Sequence, residues 1–169
     1  MRLTLKPFGA IDGGVLEYLK AELRDFGEVD VAPEGAVPET AFDTARDQYR
    51  ASAFLGACSE EPGDRVLAVT AVDMFEHGHN FVFGLADIRG RHAVISLARL
   101  DGDGRDQLRR RALTEAVHEL GHTFGLEHDR DPKCVMHFSS RLGDTDRKGA
   151  RYCAKCAARL AVTLRRRGT

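Results

Sequence analysis

Leu3 and Leu5, each flanked by polar residues, set the period of two expected of a strand buried on one face. Val15, Leu16, Leu19, Leu23 and Phe26 then recur at helical spacing, and Gly27 supplies a stop. Glu28 to Val31 is a short strand closed by Pro33. A second helix is expected from about Thr40 to Ala57, with Phe42, Ala45, Tyr49, Ala53 and Phe54 turned inward. Three strands follow, Arg65–Ala71, Phe81–Ile88 and His92–Leu97, the last two joined as a hairpin through Arg89-Gly90-Arg91. Asp101-Gly102-Asp103-Gly104 marks a turn, and Asp106 is placed to cap the next helix. That helix runs from Gln107 to about Phe124, and a last one from roughly Asp146 to Leu164. The order predicts an α/β fold: a mixed, mostly parallel twisted sheet with helices, and one long helix at the floor of a cleft.

At 169 residues the chain suits one domain made of two lobes. The upper lobe would take about residues 1–125, and the lower about 126–169, short of a core of its own and stapled by metal. A formal net charge of -1 gives no broad field for nucleic acid or an acidic membrane. The runs Arg109–Arg111 and Arg165–Arg167 read as solvated helix faces. No apolar stretch reaches the length of a membrane span. Met1 to Lys6 alternates like a strand and lacks the apolar centre of a signal peptide, so a cytoplasmic protein is expected. Of the four cysteines, Cys58 sits in the second helical pattern and reads as a buried thiol. Cys134, Cys153 and Cys156 are clustered, and in a reducing compartment such thiols are more often metal ligands or redox groups than disulfides.

The segment with most chemistry is His118-Glu119-Leu120-Gly121-His122-Thr123-Phe124-Gly125-Leu126-Glu127-His128. Residues four apart on a helix lie one above the other, so His118 and His122 can offer nitrogens to one metal. Leu113, Val117, Leu120 and Phe124 form an apolar stripe roughly opposite, which would pack on the sheet. Gly125 falls where a left-handed residue ends the helix, letting His128 return as a third ligand. Three histidines leave the fourth position of zinc open to water, the mark of a catalytic site. Glu119, beside the pair, can take a proton from that water as general base and pass it to a leaving amine. His77-Gly78-His79 reads as an exposed loop, while His92 on a strand and His137 after Met136 receive no role.

The run resembles the zinc signature of the metzincins, and with the later cysteines the chain is similar to the archaemetzincins. That family continues with a cysteine straight after the third histidine, then C-x-M, then C-x-x-C. Here Cys134-Val135-Met136 and Cys153-Ala154-Lys155-Cys156 match in type and order, whereas Asp129 stands where the first cysteine is expected. The resemblance is specific from His118 to Cys156 and implies a zinc-dependent peptidase acting on peptides or proteins. It also implies that Met136 lies beneath the histidines as the Met-turn residue, and that Phe81–Ile88 corresponds to the edge strand that binds extended substrate.

A second, structural zinc could be held by Cys134, Cys153 and Cys156, and three readings of it stay open. The fourth ligand could be Asp129, whose carboxylate oxygen is chemically suited. It could be another group, such as His137 or water. Or the site could be empty, or oxidised to a Cys153–Cys156 disulfide. A thioredoxin-like role is disfavoured because no strand precedes the C-x-x-C. The alternative to a peptidase is a zinc-containing binding or regulatory protein with little catalysis; a nucleic-acid binder has little support, and oligomeric state leaves no sequence signal.

Overall fold

The structure, a computed structural model, describes residues 1–167, with side chains through Arg165. The basic run at 165–167 therefore lies partly outside the described residues. In chain order the first half holds β1 (Arg2–Phe8), α1 (Gly13–Glu22), β2 (Glu28–Val31), β3 (Phe42–Asp43), β4 (Gln48–Arg50) and α2 (Ala51–Ala57). There follow β5 (Arg65–Thr70), β6 (Met74–Phe75), β7 (Gly84–Ala86), β8 (His92–Ser96), α3 (Arg105–Thr123), α4 (Leu142–Lys148) and α5 (Ala154–Arg167).

Five strands form one sheet in the order β2-β1-β5-β8-β7, parallel throughout except for β7, which pairs antiparallel at an edge. The mixed, mostly parallel sheet is thus as expected. The alternation of apolar residues divides the core in two. Leu3 and Leu5 of β1, Leu67 and Val69 of β5, and Ala93 and Ile95 of β8 face α1 and α3. Phe8, Val66, Ala68 and Val94 face the other way and pack on Ala51 and Phe54 of α2 and on Cys58 at its C-terminal cap. Cys58 is fully buried, as read from its pattern, and burial pushes its thiol up to about 12. Among the described residues no helix is long and apolar enough to cross a membrane.

Three expectations need correction. The helix expected over 40–57 is only the seven residues of α2; before it, β3 and β4 form an antiparallel hairpin that joins β6 in a second, three-stranded sheet. Phe42 and Tyr49, spaced like one helix face, are instead cross-strand partners with rings 4.9 Å apart. The Asp43 carboxylate accepts from the amides of Ala45 and Arg46, and Asp47 sits at φ 54, so local turn chemistry outcompetes the helix. The last helix is two: α4 stops at Gly149, at φ 60, and α5 begins after Cys153. Finally, α3 begins at Arg105 after Gly104, so Asp106 lies in its first turn rather than capping it.

The run Arg109–Arg111 is not a solvated face either. Arg111 is 4 % exposed; it donates to both carboxylate oxygens of Asp146 (2.7 and 2.9 Å), to Asp103 (2.6 Å) and to the Leu100 carbonyl (2.9 Å). It thereby fastens α4 to α3. The guanidinium, and next Gln107, hold the Asp146 carboxyl below the usual carboxylate range. A depressed carboxyl pKa contributes stability above the ordinary aspartate value and loses it as pH falls through the folded value. Arg111→Met should therefore cost about 2–3 kcal/mol near neutral pH, discounted for the exposure of both aspartates. The gap to the parent should narrow below about pH 4, as urea unfolding at several pH values would register.

Candidate active site

Helix α3 is buried on nearly every face from Ala112 onward, not along one stripe: Val117, Leu120 and Phe124 are in the core, Leu113 is half-buried, and the histidine face is covered too. Its end follows the pattern expected at Gly125. That residue is at φ 85, its amide donates to the His122 carbonyl (2.8 Å), and the Leu126 amide donates to that of Gly121 (3.0 Å). These two bonds form a Schellman motif, which satisfies the last carbonyls and reverses the chain. Buried Arg65 adds a clamp, donating to Thr123 Oγ1 (2.9 Å) with its guanidinium 4.4 Å from the centre of the Phe124 ring.

The reversal brings His128 back to the helix. His122 Nε2 lies 3.2 Å from His118 Nε2 and 3.3 Å from His128 Nε2. Two nitrogens each ~2.0–2.1 Å from one tetrahedral ion stand about 3.3–3.4 Å apart, so the triad fits zinc. The far nitrogens fix the tautomers. His118 Nδ1 donates to the Val135 carbonyl (2.6 Å) and His122 Nδ1 to that of Leu126 (2.7 Å), which leaves both Nε2 lone pairs facing one point. Burial lowers all three imidazole pKa values, His118 well below its usual range and His128 to about 4, so neutral ligands are favoured.

Glu119 is 5 % exposed and lines the same cleft of about 660 Å³. Burial holds its carboxyl well above the usual range, with Glu115 adding to the rise and Lys148 opposing it. Edge strand β7 runs alongside. A Cβ on Gly84 would stand 2.6 Å from Glu119 Oε1 and Cγ, so the carboxylate occupies space that only glycine leaves. Gly84→Ala should displace it and lower turnover at this site about 10²-fold with little change in melting temperature. Unchanged kcat in that variant would show that the contact does not position Glu119.

Next to His122, a Cβ on Gly121 would meet Met136 Sδ at 2.5 Å and the Tyr152 ring at 3.2 Å. Met136 is fully buried, and Tyr152 donates to the Val117 carbonyl (2.8 Å), so both brace the helix from the far segment. Glu115 and Lys148, neither singled out from the sequence, form a buried ion pair of 3.2 Å; Lys148 Nζ lies 3.4 Å from His118 Nδ1. Nothing local marks Lys148, since Glu115 and His118 lie thirty or more residues away and the His137 carbonyl it donates to is eleven away. Gly121, by contrast, is a mid-helix glycine, and close approach is a reason to keep one there.

Cys134, Cys153 and Cys156 also converge as free thiols, their sulfurs within 4.8 Å of one another. The Cys153 amide donates to Cys134 Sγ (3.3 Å), and Cys156 Sγ lies 3.6 Å from Asp129 Oδ2. The Asp129 carboxylate is held ionised, chiefly by the Asp131 amide and then by Lys155. Its oxygen touches one member of the thiol cluster, Cys156. His137 does not: its Nδ1 faces the Asp129 carbonyl at 3.2 Å. His77 and His79 are exposed on a loop at the cleft rim, and His92 pairs with Asp87 away from the triad.

Comparison with known proteins places this geometry. The model of Peptidase family M54 matches residues 37–162. The chain belongs to peptidase family M54, the archaemetzincins. It is 38 % identical over 167 residues to an archaemetzincin of Methanocaldococcus jannaschii, covering 95 % of this chain and 93 % of that one. The crystal structure of the Methanopyrus kandleri archaemetzincin superposes with a TM-score of 0.90 at 38 % identity, over 98 % of this chain and 96 % of that one. A zinc-dependent peptidase of Methanocorpusculum labreanum follows with a TM-score of 0.81 at 28 % identity, over 94 % of this chain and 99 % of that one. The archaemetzincin fold is therefore this chain's fold, and by family it is a zinc metallopeptidase acting on peptides or proteins.

Proposed function

We propose that the chain hydrolyses peptide bonds at the triad, with His118, His122 and His128 as the ligands of a catalytic zinc and Glu119 as general base. Zinc held there supplies Lewis acidity, polarising a scissile carbonyl and lowering the pKa of water from 15.7 to about 7. Glu119 takes a proton from the attacking water; as the carbon–nitrogen bond breaks, it delivers that proton to the leaving amine. Burial, which raises the carboxyl above its usual range, makes it a stronger base than a solvated glutamate. The free edge of β7 offers backbone partners to an extended substrate, and Met136 floors the site without ligating.

The chain acts as one domain, with residues 1–125 as an upper lobe and 126–169 as a lower lobe that a second, structural zinc staples. Cys134, Cys153 and Cys156 bind that zinc, and Asp129 is its fourth ligand, favoured over His137 by the 3.6 Å contact to Cys156. Three gathered free thiols fit a reducing compartment such as the cytoplasm. The observation that carries the reading is the convergence of three lone-pair nitrogens beside a buried carboxylate in one cleft. Zinc-loaded protein should cleave members of a mixed peptide library, lose that activity to a hydroxamate or chelator, and regain it on adding zinc. Stoichiometric zinc at the triad with no cleavage would favour the binding-protein alternative.

A further inference from the structure

Among the described residues four glutamates line the cleft, Glu76, Glu115, Glu119 and Glu127, and no lysine or arginine does. Glu115 lies one turn before His118 on the same helix. It is 2 % exposed, yet only one of its carboxylate oxygens is used: Oε1 accepts from Thr145 Oγ1 (2.8 Å) and lies 3.2 Å from Lys148 Nζ as an ion pair. Oε2 has no partner among the described residues. Lys148 is fully buried and does not line the cleft, so the anionic end of the pair is the end presented to it. Ser139 Oγ, on the segment after Met136 that also lines the cleft, is buried without a partner too.

A purely structural pair tying α4 to α3 engages Oε1 but leaves Oε2 unused, and it does not account for Ser139 Oγ, since buried polar groups are almost always partnered. The cleft walls, meanwhile, are apolar: Phe83, Leu85 and Phe138 line them. Apolar walls with an anionic floor suit a side chain with a hydrocarbon stem and a cationic tip. We propose that Glu115 is the specificity-determining residue of a subsite beside the triad, and that this subsite selects a lysine or arginine next to the scissile bond. The proposal rests on the catalytic reading above.

It is tested by calorimetric binding to the zinc-loaded chain, which needs no turnover. The probes are three peptide hydroxamates, identical except for lysine, norleucine or glutamate beside the hydroxamate. Lysine should bind at least about 10-fold more tightly than norleucine through a charge-assisted hydrogen bond, and glutamate most weakly. In the Glu115→Gln/Lys148→Met double variant, which removes both charges so that neither is left buried alone, the lysine-to-norleucine ratio should collapse towards one. Equal or tighter binding of norleucine by the parent chain overturns the proposal while leaving the catalytic reading intact, as does a double variant that folds and keeps the full ratio. Failure of all three hydroxamates to bind the zinc-loaded chain removes the catalytic reading, and this subsite with it.

Discussion

Glu119→Gln should lower kcat by about 10²–10⁴-fold, the range supplied by a positioned general base, while zinc at the triad stays stoichiometric. The exchange is nearly isosteric, so the carboxamide can occupy the space beside Gly84 without opening a cavity. It also relieves the burial of an ionisable group that Glu115 further opposes, so melting temperature should hold or rise. What disappears is the capacity to accept a proton from the attacking water. Turnover and metal content measured on the same preparation separate the outcomes. More than a tenth of parental turnover would remove Glu119 from the base role, and loss of zinc would recast it as a support of the metal site.

The second large effect is expected at the thiols. Cys153→Ser/Cys156→Ser should reduce bound zinc from two ions per chain to one. Structural zinc sites contribute binding free energy directly to folding, on the order of 10 kcal/mol in isolated zinc-finger peptides. Here other ties remain: Arg111 to Asp146, Lys148 to Glu115, and Tyr152 to the Val117 carbonyl. The loss should therefore be partial, roughly 10 °C in melting temperature for a chain of this size. Because the Cys153 amide donates to Cys134 Sγ and the Val135 amide to the Arg151 carbonyl, disorder there should spread to the segment under the histidines. Activity should fall with it. Asp129→Cys should act oppositely, raising retention of the second zinc against a chelator, since thiolate is the softer ligand. Unchanged zinc content and melting temperature in the double serine variant would remove the structural role of this cluster.

How much of this was legible depends on whether the determining contacts are local. The strands β1, β5 and β8 could be read because alternate residues face two different cores, β2 because Val29 and Val31 face one, and α1 because its apolar residues recur at 3.6. The triad could be read because Gly125 forces the return of His128 within one short stretch. Helical spacing misled at 40–57, where Phe42 and Tyr49 meet across a hairpin that an aspartate-rich turn dictates. It misled again across 146–153, where Gly149 ends one helix well before Cys153 begins the approach to the next. The residues that brace the site, Arg65, Arg111, Lys148 and Tyr152, do so through Thr123, Asp146, His118 and Val117, which lie 30 to 58 positions away. No window of sequence contains both ends of those contacts. Gly84 is informative only once the carboxylate it accommodates is known.

The central claim concerns where a single ion sits, and anomalous diffraction at the zinc absorption edge from crystals of the zinc-loaded chain addresses it directly. The account predicts a peak ~2.0–2.1 Å from Nε2 of His118, His122 and His128 alike, with Glu119 close by but outside bonding distance. A zinc-loaded chain whose only anomalous peaks lie away from those three nitrogens would contradict it.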